Sequence, residues 1–291
     1  MFEKIFDDTY IVANKNGKFP DSICTYFDDE VKTLIDTTMD TSFVNYFNDK
    51  KVDLIINSHF HKDHCGSNHL FPNAKIIAHP ADIPAMQSFT TFCEYFGIND
   101  YCSEEEAAEL FSWLDFHPSP IHNKIEDGDI IELGKTKLQV VHTPGHTPGH
   151  CTFFWEDKGV VFSGDIDLTD FGPWYGHIVS DVDQVINSIE KIMKINPEAI
   201  VSGHRGLITD NIQGELRNYL NKVYEKEEKI LKALKNPLTL DELTHKKIIY
   251  GKWSEPTHFF YFFEKLSLLT HLERLQKLGL VSLENDLYVT K

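Results

Sequence analysis

The densest chemistry in the chain lies in Ser58-His59-Phe60-His61-Lys62-Asp63-His64, where four side chains able to ligate a metal fall within six residues. They follow Val52–Asn57, an apolar run bounded by polar residues, the pattern of a strand buried on both faces. On an extended turn His59 and His61 point the same way, because side chains alternate with period two, so they can share one ion. Asp63 and His64 then project onward to a second ion. A solvated histidine-rich loop would leave all four with nothing to bind. Imidazole with carboxylate suits Zn²⁺, Fe²⁺ or Mn²⁺, and no thiolate stands among these ligands to force zinc.

Three further segments repeat the theme. His142-Thr143-Pro144-Gly145-His146-Thr147-Pro148-Gly149-His150 carries Pro-Gly pairs that fix tight turns. Phe162-Ser163-Gly164-Asp165 and Val201-Ser202-Gly203-His204 each run from a strand into a turn. Each alone is weak, since an isolated Ser-Gly-Asp is usually just a turn. In this order, each after a strand, they are specific.

Together the four segments resemble the metallo-β-lactamase superfamily, whose pattern is HxHxDH, then TPGHT, then Gly-Asp, then Gly-His. The resemblance covers about residues 1–210. It implies an α/β fold, an αβ/βα sandwich of two facing mixed sheets with helices outside and a site at the strand ends. It implies that His59, His61 and His146 hold one metal, that Asp63, His64 and His204 hold the other, and that Asp165 bridges them. Asp36, in Leu34-Ile35-Asp36-Thr37, matches the first family motif as a support for the site. The expected cofactor is a pair of divalent ions, Zn²⁺ before Fe²⁺ or Mn²⁺. The expected reaction is hydrolysis, in which a metal-bridging hydroxide attacks the ester, thioester or lactone carbonyl of a small molecule. Asp63 or metal-bound water then helps the leaving group. A single-strand endoribonuclease using the same site is the alternative. A di-iron redox protein is a second alternative, weakened by HxHxDH in place of HxExD and by the lack of a flavodoxin-like partner domain.

Residues around these motifs read more plainly. His142 and His150 are expected to support the strand ends, and Cys65 to be a small packed residue. Asp167 and Asp170 read as solvated loop carboxylates. The segment Phe171-Gly172-Pro173-Trp174-Tyr175-Gly176-His177 leaves a ligand at loop-like spacing. Within it, Tyr175 and His177 are the candidates to donate a hydrogen bond to a developing oxyanion, against the blander reading of a packed aromatic loop. The block Pro256–Phe263 holds five aromatics and reads as an interface plug, with an acyl-binding wall as the other choice.

The elements that must position these residues are legible. Strands are expected at Thr9–Ala13, Ser22–Phe27, Val31–Asp36, Val52–Asn57 and Ala74–Ala78, then at Ile130–Leu133, Leu138–His142, Cys151–Trp155, Val160–Ser163 and Ala199–Val201. Val182, Val185, Ile186, Ile189 and Met193 recur at helical spacing behind a capping Asp181 or Asp183. Residues 80–115, with Glu104-Glu105-Glu106 and several aromatics, read as a helical insertion whose aromatics pack.

The chain has 291 residues and a formal charge of −17. Residues 211–291 carry 13 basic and 11 acidic side chains, so the first 210 hold 15 and 34. The shift marks a catalytic domain over 1–210 and a C-terminal helical domain over 211–291. That tail reads as a helix at about Gln213–Leu234, another from Thr239, a third at about Phe262–Leu278, and strands Val281–Leu283 and Leu287–Thr290, which is winged-helix order. Leu240–Leu243 and Leu272-Glu273-Arg274-Leu275-Gln276-Lys277-Leu278-Gly279-Leu280 resemble the β-lactamase-like protein 2 group, whose members include single-strand endoribonucleases. The acidic body disfavours a nucleic-acid partner without excluding one. A small-molecule substrate is expected, a homodimer is left open, and no stretch reaches the roughly 20 apolar residues of a membrane span. Met1-Phe2-Glu3-Lys4 lacks the basic, apolar start of a secretory signal, and five cysteines form no CxxC, so a cytoplasmic protein is expected.

Overall fold

The computed structural model describes residues 2–13, 17, 21–38, 40–47, 50–103, 105, 107–108, 110 and 116–291. Seven strands form the first sheet in chain order: β1 (Phe2–Phe6), β2 (Thr9–Ala13), β3 (Ile23–Phe27), β4 (Thr33–Ile35), β5 (Leu54–Ile56), β6 (Lys75–Ala78) and β7 (Asn123–Lys124). The pairs from β1 to β4 are antiparallel and those from β4 to β7 are parallel. β5 sits between two parallel neighbours, with Leu34 opposite Ile55 and Ile55 opposite Ile76, which is why its run carries apolar side chains on both faces.

The second sheet holds β8 (Ile130–Glu132), β9 (Lys137–His142), β10 (Cys151–Trp155), β11 (Val160–Gly164), β12 (Ala199–Ser202) and β13 (Gly206–Ile208), ordered β13-β12-β11-β10-β9-β8. Only β11 and β12 pair in parallel, so this sheet is mixed as well. The inner faces meet in an aromatic and aliphatic core, where Phe27 packs edge-on to Phe162 at 5.3 Å between ring centroids. Truncating a fully buried member such as Phe153 to alanine would cost about 3–5 kcal/mol.

Helices flank the sheets. The first four are α1 (Lys62–Cys65), α2 (Ile83–Gln87), α3 (Phe89–Phe96) and α4 (Ile98–Tyr101). Further along, α5 (Val182–Ile195) begins at Asp181, whose carboxylate accepts from Gln184 N. Its apolar stripe, with that of α6 (Ile212–Ala233), covers the outer face of the second sheet through Val161 and Ile200. The chain closes with α7 (Leu240–Thr244), α8 (Thr257–Lys277) and the hairpin β14 (Val281–Glu284) and β15 (Leu287–Thr290). A capping box between Thr239 and Glu242 starts α7, and Asn285 and Asp286, both at positive φ, turn the hairpin.

The C-terminal helical region is therefore present, in the expected element order. It is tied to the two-sheet part by Arg274 of α8, which bonds Asp183 of α5 at 2.5 Å while also holding Glu227 of α6 at 2.6 Å. Two details differ from expectation. α8 starts at Thr257, just after Pro256, so the aromatic block is its first two turns. β1 was not anticipated: it is an edge strand whose residues are all partly or fully exposed, leaving little apolar alternation to read. The expected insertion is helical over α2 to α4, while Glu104, Glu106 and residues 111–115 lie outside the described residues. Among the described residues no helix is long and apolar enough to cross a membrane.

Candidate active site

All four motif segments converge at the same end of the two sheets. Asp36 follows β4 in a left-handed conformation, at φ 62°, a backbone cost for a non-glycine residue that sites often carry. Its carboxylate accepts from Ser58 N and Ser58 Oγ, both at 2.7 Å, and meets His64 Nδ1 at 2.8 Å. Ser58 Oγ in turn lies 2.9 Å from His59 Nδ1. One carboxylate thus holds the start of the histidine loop and orients His64. His61 stands at the N-terminal boundary of α1, and that single helical turn carries Asp63 and His64, whose donor atoms group with His204 rather than with those of His59 and His61.

His146 rides on the β9–β10 loop. Gly145 before it has φ 121°, and a Cβ there would stand 2.3 Å from Val185 N and 2.7 Å from Asp181 O. Only glycine lets the loop pack on the start of α5. Asp165 follows β11 and donates its backbone N–H to His150 Nε2 at 3.0 Å. His204 follows β12 and holds the Gly17 carbonyl through Nδ1 at 2.7 Å.

The seven side chains form two groups. Donor atoms of His59, His61, His146 and Asp165 lie within 4.8 Å of one another, and so do those of Asp63, His64 and His204. His146 Nε2 is 3.3 Å from His59 Nε2 and 3.0 Å from His61 Nδ1. Asp165 joins the groups. Its Oδ2 lies 3.3 Å from His146 Nε2, and its Oδ1 lies 2.9 Å from His64 Nε2 and 3.3 Å from His204 Nε2. Asp63 Oδ2 is 3.5 Å from His204 Nε2.

Electrostatics divides the histidines. Burial, then neighbouring histidines, push His59 and His61 well below the usual imidazole range. Burial acts the same way on His64 and His204, but the surrounding carboxylates, Asp165 foremost, outweigh it and hold both above that range, His204 at about 10. His64 Nε2 and Asp165 Oδ1 are buried without a hydrogen-bond partner. Clustered imidazoles facing an unpartnered carboxylate oxygen suit a cation better than they suit one another. The cluster is compatible with divalent metal binding.

The supports were less visible in the sequence. Asp82, in the loop after β6, accepts from Phe60 N at 3.1 Å, Thr147 Oγ1 at 2.6 Å and Gly149 N at 2.6 Å, clamping the first and second motifs together. Burial raises its carboxyl to about 6 against these three donors. A lone aspartate in a loop carries no signal of this. Cys65 is buried with its thiol on the Phe60 carbonyl, as expected. His150 is buried against Thr143, and His142 bonds the Pro148 carbonyl.

Two expected oxyanion donors are corrected here. Tyr175 is fully buried between α6 and α8, edge-on to His271, and its hydroxyl does not reach the cluster cavity. Alternation along the loop sends Trp174 to the cavity and its neighbour Tyr175 into the core. His177 is also fully buried and touches the site from behind: its Nε2 is 3.0 Å from His61 Nε2, and its Nδ1 is 2.9 Å from Ser180 Oγ, which donates to the His146 carbonyl at 3.2 Å. With His61 Nε2–H donating to His177, and His177 Nδ1–H donating to Ser180, this chain leaves His61 Nδ1 bare toward the cluster. Asp167 is corrected as well. It is half-buried, accepts from Thr169, and lines the cavity, whereas Asp170 is exposed as expected.

That cavity measures about 560 Å³. His61, Asp63, Asp165, Asp167 and His204 line one side, and aromatics from α3, the Phe171–Trp174 loop, Tyr250 and α8 make up most of the remaining lining, with Lys62, Leu110 and Thr169 among them.

This sandwich with its His and Asp cluster is of the metallo-β-lactamase type. The family model described as the metallo-beta-lactamase superfamily matches residues 22–204, and the chain belongs to that superfamily. An atrochrysone carboxyl ACP thioesterase of Aspergillus fumigatus is 27% identical over 42% of this chain and 37% of its own length. A beta-lactamase-like protein 2 homolog of Drosophila melanogaster is 27% identical over 62% of this chain and 53% of its own. An acyl-coenzyme A thioesterase of Bos taurus is 29% identical over 52% and 55%. The chain thus spans about a third to about half the length of these relatives. In fold it is similar to a metallo-beta-lactamase family protein of Thermus thermophilus, with a TM-score of 0.79 at 21% identity, covering 99% of this chain and 100% of that one.

Proposed function

We propose that the protein is a metal-dependent hydrolase that cleaves thioesters, with esters and lactones as chemically related substrates. The observation that carries this reading is the pair of donor groups sharing Asp165 on the wall of a cavity large enough for a small molecule. His59, His61 and His146 would hold one divalent ion and Asp63, His64 and His204 the other, with Asp165 between them. Bound there, such ions lower the pKa of water and polarise a carbonyl oxygen, the chemistry that acyl transfer to water needs. The protein's own share is positional. Asp36 and Ser58 orient His64 and His59, Asp82 holds the two loops in register, and His177 presents His61 through Nδ1. Asp63 lines the cavity on the cluster side, where a leaving thiolate would be protonated. Thioesters are favoured over other acyl compounds because two of the relatives above carry thioesterase names.

Zinc is the proposed ion, residues 1–210 the proposed catalytic unit, and 211–291 a unit that walls its cavity. A reducing, cytoplasmic setting is proposed on the buried thiols Cys24, Cys65, Cys93 and Cys151. The test is a panel of acyl thioesters, a lactone and a short single-stranded RNA, with and without chelator. Thioester turnover that chelation abolishes and Zn²⁺ restores is expected. RNA cleavage with no thioester turnover would replace this reading with the phosphodiesterase one.

A further inference from the structure

We infer that the cavity beside the cluster is a channel for long, unbranched, apolar acyl groups, and that the first turns of α8 form its wall. This deepens the hydrolase reading and rests on it. The wall is built by rings from three parts of the chain that meet at Phe263, whose ring centroid lies 6.4 Å from Phe96 of α3, 5.3 Å from Trp174 and 4.5 Å from Phe259. A collapsed core would bring such rings together and leave no space, but here they enclose about 560 Å³. Among the described aromatic residues of this wall the one hydroxyl, on Tyr250, already accepts from Trp174 Nε1 at 2.7 Å. Tyr250 is itself anchored, because the backbone N–H groups of Ile249 and Tyr250 both donate to the buried Glu264 carboxylate, at 2.8 and 3.0 Å. The space is therefore prebuilt.

Its polarity decides which half of a thioester enters. The cavity's carboxylates and histidines stand at the cluster side, on His61, Asp63, Asp165, Asp167 and His204, and Lys62 next to His61 and Thr169 next to Leu168 are the other polar side chains among the described lining residues apart from the Tyr250 and Trp174 pair. With the carbonyl there, either the acyl chain or the thiol carrier must lie along the rings. A carrier with amides and phosphates would leave several polar groups unpaired against phenylalanine, at about 1–3 kcal/mol for each. An alkyl chain loses nothing and gains from every methylene buried. Hydrolysis breaks the C–S bond, forms a C–O bond to water's oxygen, and sends the proton to the thiolate, so the free carboxylic acid is left in the channel. That product is a ligand in its own right.

Two measurements test this. The first is kcat/KM of the metal-loaded protein across acetyl-, butyryl-, octanoyl- and palmitoyl-coenzyme A. A rise of about three- to fourfold per methylene is expected until the channel is full. Phe259→Gln should compress the palmitoyl-to-acetyl ratio by roughly tenfold or more. The second is binding of free palmitate, read by the fluorescence change that Trp174→Phe removes. Turnover with a flat or falling chain-length profile overturns the channel and leaves the hydrolase reading standing. Palmitate binding without thioester turnover supports the channel and overturns the hydrolase reading. No palmitate response in the folded, metal-loaded protein overturns the channel outright.

Discussion

Asp165 Oδ1 and His64 Nε2 lie 2.9 Å apart, both buried, and neither completes a hydrogen bond. The other oxygen of Asp165 faces His146 at 3.3 Å. One carboxylate is therefore shared between two donor groups, and its removal should disturb both. Asp165→Ala should lose at least one bound ion and more than about a hundredfold in kcat, since even residues behind metal ligands are worth about 10–100-fold. Elemental analysis beside steady-state kinetics checks this. Full metal content with full activity would remove Asp165 from the shared position.

His177 should act on the cluster chiefly through His61. His177→Leu should weaken metal binding about 10–100-fold by freeing the His61 tautomer. His177→Gln, whose carbonyl can still accept from His61 Nε2–H, should retain most of the affinity. Calorimetric Zn²⁺ titration of both variants reads the difference. Equal affinities would leave His177 a packing residue.

The Asp82 clamp should be structural first. Asp82→Ala leaves Phe60 N, Gly149 N and the Thr147 hydroxyl buried with no acceptor. A loss of roughly 2–4 kcal/mol is expected, visible in denaturant unfolding. A variant as stable as the parent would show that the two loops hold their own register.

Lys226 sets a pH dependence away from the cluster. It is buried, donates to the Pro173 carbonyl at 2.7 Å, and burial lowers it to about 7 from 10.5. Between those two values the unfolded chain binds a proton that the folded chain does not. The contribution of Lys226 to stability therefore rises with pH across that window and is flat beyond it. Lys226→Met should erase this rise. Unfolding free energies at about pH 6, 8 and 10, spanning the shifted value, should show the parent gaining on the variant. A constant difference would mean that Lys226 keeps its charge when folded.

Much of this is legible in the sequence. The parallel-sheet position of β5 follows from its apolar run, and the spacing of His59, His61, Asp63 and His64 already separates them into two pairs. The fold class rests on motifs that each end a strand, so order along the chain carries geometry. The supports were not legible, because Asp82, Ser180 and Tyr250 act through contacts 65, 34 and 76 positions away, and no local pattern marks them. Tyr175 and His177 misled for a related reason. Loop residues next to a ligand share its neighbourhood, but only the backbone path decides which side chain faces the cavity. The aromatic block resisted a single reading because it serves two roles: Phe262 and Phe263 are buried in the packing between α3 and α8, and Phe259, Phe260 and Phe263 line the cavity.

The most direct measurement is the metal content of the reconstituted protein, taken with thioester turnover as ions are added back stepwise. Two divalent ions per chain are predicted, with activity appearing as the second site fills. A chain that takes up no ion, or hydrolyses thioesters equally well without one, would contradict the account.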